Sequence, residues 1–174
     1  MEIEPGEAKA LSDIDTYGCH IIHVFEDEET PRFSYSVGIE KTSGQPELIV
    51  TGLRRELAHW IINEYNRRVR KGEVFQQDTP YFGFLEGHYV TFKLMSKDYY
   101  SKYLGWDLWL YGGPNFRVLQ MIWPSTGGKW PWDADAPADY KGSIPLLFEP
   151  VKFALLRQLR PLKRLVGHEK AAPK

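Results

Sequence analysis

Residues 33–53 read FSYSVGIEKTSGQPELIVTGL, and the fold follows from how the spacing of apolar residues changes along them. Phe33, Tyr35 and Val37 alternate with Ser34 and Ser36, the two-residue repeat of a half-buried strand. Gly38 to Pro46 holds the breakers Gly38, Gly44 and Pro46 among polar residues, which predicts a loop joining two paired strands. Leu48, Ile49 and Val50 follow without a polar interruption, as in a strand buried on both faces at the centre of a sheet. Beyond Gly52 the spacing lengthens. Leu53, Leu57, Ile61, Tyr65 and Val69 recur every four residues, with Ala58, Trp60 and Ile62 widening the stripe. Arg67, Arg68, Arg70 and Lys71 fall in the last turn, where cations suit the negative end of the helix dipole, and Gly72 stands at a left-handed cap position. The stretch predicts a hairpin that feeds directly into an amphipathic helix, Leu53 to Lys71, lying across it.

Outward from this unit, Tyr17 to Phe25 reads as a first strand, with Cys19, Ile21, His23 and Phe25 on one face and His20, Ile22 and Val24 on the other. Residues 1–16 read as a polar N-terminal arm, ordered toward its end, with Ile14 to Thr16 docking on the sheet. Val74–Phe75 reads as a short strand, and Tyr81 to Leu85 with His88 to Met95 as a second hairpin. Ser96 caps a short helix, Lys97 to Leu104. Trp106 to Tyr111 is too aromatic for an exposed loop. Phe116 to Trp123 reads as a strand, Pro124 to Pro137 as a long turn-rich segment, and Ile144 to Phe148 as a late strand or an extended docking segment. From Val151 to Lys174, seven basic residues stand against one acid, Glu169, in a basic helix or tail. The fold class is therefore α+β: a mostly antiparallel, twisted sheet or partial barrel with one long amphipathic helix packed on it. Residues 17–150 form the single domain.

Composition narrows function by exclusion. At 174 residues the chain suits one domain with a full core. A net charge of −1 argues against a general nucleic-acid binder, and leaves only the tail at 151–174 for such contact. A single cysteine, Cys19, excludes an internal disulfide and a four-cysteine zinc site. The acidic, polar Met1–Ala10 is unlike a signal peptide, and no apolar run reaches the length of a membrane span, so a cytoplasmic location is expected.

Catalytic signatures are sparse. His20 and His23 fall on opposite faces of their strand, which does not suit a shared metal, and no two-cysteine pair or HExxH supports one. No metal is predicted. Fold-mediated clustering with His88 is the open question for these histidines, and His59 lies off the apolar stripe of its helix. Cys19 in an apolar strand reads as core. The acids Glu40, Glu47, Glu86 and Asp107 flank turns and apolar segments, with nothing to say that any two are close. Arg117 and Gln120 interrupt an apolar strand, either at its ends or edge or facing a polar cavity. With aromatics at 14%, Trp106, Trp109, Tyr111, Trp130 and Trp132 serve the core or an aromatic recognition surface.

Five pieces, FSYSVGIEKTSGQPELIVTGL, RVRKGEVF, YFGFLEGHYVTF, YLGWDLWLYGG and VLQMIWPSTGGKWPW, together resemble an uncharacterised, mainly bacterial family, domain-of-unknown-function family 4262, over Tyr17 to Asp133. The family pattern has Leu where this chain has Ile39 and His where it has Gln45. The resemblance supports one domain and implies no activity. A looser similarity, through Gly44-Gln45-Pro46 between two strands, is to flavin-binding split barrels. It would imply an FMN phosphate near Ser34, Ser36 and Thr51, with Trp106 or Trp109 on the ring. The leading expectation is a non-catalytic binding or interaction protein, in bacterial conflict or stress, with a protein or small-molecule partner and no cofactor. Its candidate contacts are Ser34, Ser36, His88, Trp106, Trp109, Tyr111, Arg117, Gln120, Trp130 and Trp132. The alternatives are an FMN-dependent, split-barrel-like oxidoreductase and nucleic-acid contact through the tail.

Overall fold

The computed structural model describes residues 3–150; the basic segment expected at 151–174 lies outside them. The hairpin forms as expected: β2 (Phe33–Val37) pairs antiparallel with β3 (Glu47–Thr51). The connection is not all loop, since Ile39–Ser43 makes one short helix, α2, between left-handed Gly38 and Gly44. Gly38 is required twice over. Its φ is 104°, and a Cβ there would lie 2.7 Å from Ile14.

The sheet has six strands in the order β1-β2-β3-β6-β5-β4, with β1 at His20–Val24, β4 at Tyr81–Leu85, β5 at His88–Leu94 and β6 at Val118–Ile122. β3 is interior, as its unbroken apolar run requires, and pairs parallel with β6; the other pairings are antiparallel. The fold is α+β, and the mixed sheet stays open. Alternation along β3 divides the core. Leu48 and Val50 meet the main helix, α3 (Arg55–Arg70), while Ile49 faces α4 (Tyr100–Tyr103) and α5 (Gly105–Tyr111). Helices thus cover both faces. One helix on a sheet is too simple a picture, because a β3 buried on both sides needs a second cover.

α3 buries Ala58, Ile61, Ile62, Tyr65 and Val69, and ends where Gly72 turns to φ 96° and Glu73 N–H donates to the Arg68 carbonyl. Trp60 does not belong to the buried stripe; it is exposed. Residues 5–16, expected within an arm ordered only toward its end, and Tyr17, expected to open the first strand, form α1 (Pro5–Tyr17), whose Ala10 and Ile14 are buried. Its start is specified locally by Pro5 in the first turn and by reciprocal Glu4 and Glu7 capping, its end by left-handed Gly18. Val74–Phe75 is not a strand. Phe75 instead joins Tyr65, Phe84 and Phe92 in an aromatic cluster. Lys97–Tyr99 is a 3₁₀ turn leading into α4. The last segment holds α6 (Ala138–Ser143), and 144–148 docks without making a strand: Ile144 and Leu147 are buried, and the Leu147 N–H donates to Gln120 Oε1.

Candidate functional site

Among the described residues the ten expected contact residues do not form one site. Ser36 is fully buried, donating to Glu47 Oε2 at 2.5 Å and accepting from the Leu48 N–H. Tyr111 donates to Glu47 Oε1 at 2.5 Å. Arg117 pairs with Glu40 at 2.8 Å and bonds the Gly44 carbonyl, closing the hairpin end. Gln120 is fully buried; its amide donates to the Pro145 carbonyl and ties down the segment after α6. Trp106 packs on α1, within 3.2 Å of a Cβ built at Gly6, and edge-on to Trp109, which is 37% exposed. Trp130 and Trp132 stack at 5.5 Å, and Trp132 is 42% exposed. His88 begins β5, four strand spacings from β1, or roughly 19 Å. It does not join His20 and His23.

Two polar groupings do form. The first is internal. Glu47 is fully buried and accepts from the Ser36 and Tyr111 hydroxyls and from the Gly38 and Glu40 N–H groups. Burial pushes its carboxyl up, and the hydrogen bonds from Ser36, Tyr111 and the Glu40 backbone pull it back. Asp107, on the first turn of α5, is also fully buried, and neither of its oxygens has a hydrogen-bond partner among the described residues. Burial and the neighbouring Glu47 charge push it well above the ordinary aspartate range. Sixty residues apart in the chain, Glu47 and Asp107 carry no local pattern that marks them as electrostatic neighbours.

The second grouping is a cleft of about 540 Å³ at the free edge of β1, walled by Lys9 and Asp13 of α1, His20 and His23 of β1, and Arg55, His59 and Asn63 of α3. Arg55, His59 and Asn63 are spaced by four and therefore share one helix face. That is why His59 is off the apolar stripe: it belongs to a second, polar one. This i, i+4, i+8 spacing was the signal in the sequence, and its reading needed the neighbouring strand. His20 and His23 do point to opposite faces of β1. His20 Nδ1 lies 2.7 Å from Asp13, which also holds Lys9 at 2.8 Å, and both partners keep the Asp13 carboxyl below its usual range. His23 turns toward α3, with Nδ1 2.7 Å from Ser34 Oγ and Nε2 3.1 Å from His59 Nδ1. Because β1 is an edge strand, both rings still reach the cleft. Burial, Arg55 and His59 push His23 down to about 4, so it is neutral at pH 7. Cys19, buried beside the cleft, is pushed up to about 12 by burial and Glu47, which disfavours its thiolate.

A second hollow, of about 260 Å³, adjoins the first and shares His23 and Arg55 with it; Val24, Phe25, Phe33 and Leu53 give it apolar walls. The arrangement can grip and orient a small molecule through donors at the junction and apolar surface beside it. Ser34 lines this hollow, but its hydroxyl is engaged with His23; the Thr51 Oγ1 is buried with no partner among the described residues. No group of three or more metal-ligating side chains occurs among the described residues. No helix among them is long and apolar enough to cross a membrane.

Comparison with curated proteins and with solved structures returns no match. One family model does match, over residues 13–137, a span that runs from Asp13 in α1 through the sheet to the turn before α6. The chain belongs to the family described as Domain of unknown function (DUF4262).

Proposed function

We propose that this protein is a non-catalytic binding domain whose site is the cleft between α1, β1 and α3. One observation carries the reading: two adjoining hollows, the smaller of them the more apolar, meet at His23 and Arg55. Convergent polar groups beside apolar walls are what a small-molecule site requires. The non-catalytic part of the reading draws support from Cys19, the one thiol, which is buried and pushed up to about 12 by burial. The test is to purify the full chain without added ligand, release its contents by denaturation, and identify them by mass spectrometry. A stoichiometric small molecule, lost from a His59→Ala/Asn63→Ala variant, is the expected result. A flavin in the visible spectrum would move the reading to the FMN-dependent alternative, and turnover of the released molecule would overturn the non-catalytic one.

A protein partner is the second reading, favoured by a different place. Trp60, Phe82 and Tyr89 are all more than half exposed, and Trp60 and Phe82 line a shallow apolar groove between α3 and the edge strand β4. Trp60→Glu would abolish a complex made there and leave the cleft's ligand in place. Nucleic-acid contact through 151–174 is the third reading, and would show binding that falls steeply with salt.

A further inference from the structure

The charges around the cleft do not cancel. In the larger hollow Lys9 is paired with Asp13 at 2.8 Å, and in the smaller Arg32 is paired with Glu26 at 2.5 Å. Each pair is neutral as a unit. Arg55 lines both hollows and makes no ion pair or hydrogen bond among the described residues. Its neighbour one turn along α3 is His59, where an i, i+4 acid would otherwise neutralise it. A guanidinium with five donors is left where the larger hollow meets the smaller, more apolar one.

The hydrogen-bond chain beside it supplies a second donor. The Ser34 hydroxyl has one partner among the described residues, His23 Nδ1 at 2.7 Å. Donation into that nitrogen satisfies the hydroxyl and puts the His23 proton on Nε2, which then donates to His59 Nδ1 at 3.1 Å. His59, accepting at Nδ1, carries its own proton on Nε2. A neutral His23 fits this scheme, since a doubly protonated ring could not accept from Ser34.

Resting on the cleft being the binding site, we infer that its ligand is a small carboxylate with an apolar, ring-sized body. The carboxylate sits on the Arg55 guanidinium and the His59 Nε2–H. The body enters the smaller hollow against Phe25 and Leu53. Planar, bidentate recognition by Arg suits a carboxylate, and the modest volume of about 260 Å³ suits a single ring or a short branched chain. Ser34 is a positioning residue, acting through the tautomer of His23.

The experiment is calorimetric titration of the full chain with phenylacetate, acetate and phenylacetamide, alongside two-dimensional NMR of the imidazole groups. Phenylacetate is expected to bind most tightly and to shift the His59 and His23 signals. Arg55→Ala should weaken it at least tenfold, with Arg55→Lys intermediate. Leu53→Ala should weaken phenylacetate and leave acetate unchanged. Ser34→Ala should change the His23 tautomer signature and weaken both acids. If phenylacetamide binds as well as phenylacetate and ignores Arg55→Ala, the cleft is the site but the carboxylate assignment is overturned. If no probe shifts either histidine at millimolar concentration while each variant melts as the parent does, the inference is overturned together with the reading it rests on.

Discussion

Glu47 and Arg55 flank β3, one at its start and one just beyond its end, and they face opposite circumstances. Glu47 is fully buried, and four donors converge on its carboxylate. Arg55 is exposed at the sheet edge with no partner among the described residues. The first is a structural bond: it joins β2, the hairpin helix α2 and α5 through one side chain. The second leaves donors open beside two hollows. Polar residues in this fold thus divide by satisfaction. Where every partner is supplied from within, the group serves the fold; where partners are missing at a concave surface, it is free to serve a ligand.

The comparison breaks first at Glu47. Glu47→Ala would leave two backbone N–H groups and two hydroxyls without their acceptor, and should cost about 3–5 kcal/mol. A urea titration should show a lower midpoint at unchanged slope. A loss under 1 kcal/mol would mean that the hairpin closes without this carboxylate.

Asp107 sharpens the contrast, because it is an equally buried acid with no donors among the described residues. Its folded-state pKa is raised above the ordinary value of 3.8, so the folded protein holds a proton that the unfolded chain has released. Stability should therefore be greatest at acid pH with respect to this group, and fall as pH rises through the folded value, by at most about 1.4 kcal/mol per unit for one proton. Asp107→Asn should flatten that fall in melting curves collected from pH 5 to 9. An unchanged slope would place the proton elsewhere.

His23 carries the opposite sign. Its value drops from 6.5 to about 4, so the unfolded chain takes a proton that the folded protein refuses. Its contribution is complete above 6.5 and is lost as pH falls toward 4. The ring is partly exposed, which keeps the slope well below the one-proton limit. His23→Gln should lessen the loss of melting temperature between those values. The smallest effect on stability belongs to Arg55→Ala, expected within about 0.5 kcal/mol of the parent while ligand binding collapses. A large destabilisation there would return Arg55 to the structural class.

Residues 33–72 show how far local pattern reaches. The two strands, the interior place of β3, the main helix and its Gly72 ending all follow from side-chain period and cap chemistry, which are properties of neighbours in sequence. The same chemistry was legible at α1, where Pro5, Glu4, Glu7 and Gly18 mark both ends, but its low apolar content hid it behind an arm-like composition. Trp60, expected in the apolar stripe, is exposed, and Phe75, expected in a short strand, is buried among rings, because whether a ring is covered depends on which element packs over it.

The site lay beyond that reach. Sequence alone determined that His59 stands off the apolar stripe and that His20 and His23 face opposite ways. Tertiary structure decided that β1 is an edge strand, that α1 and α3 wall its free side, and that Arg55 finds no counterion there. The physical reason is separation along the chain. Asp13, the pair His20 and His23, Ser34 and His59 come from four elements, and only tertiary packing brings Asp13 to His20, and Ser34 and His59 to His23, within hydrogen-bonding distance.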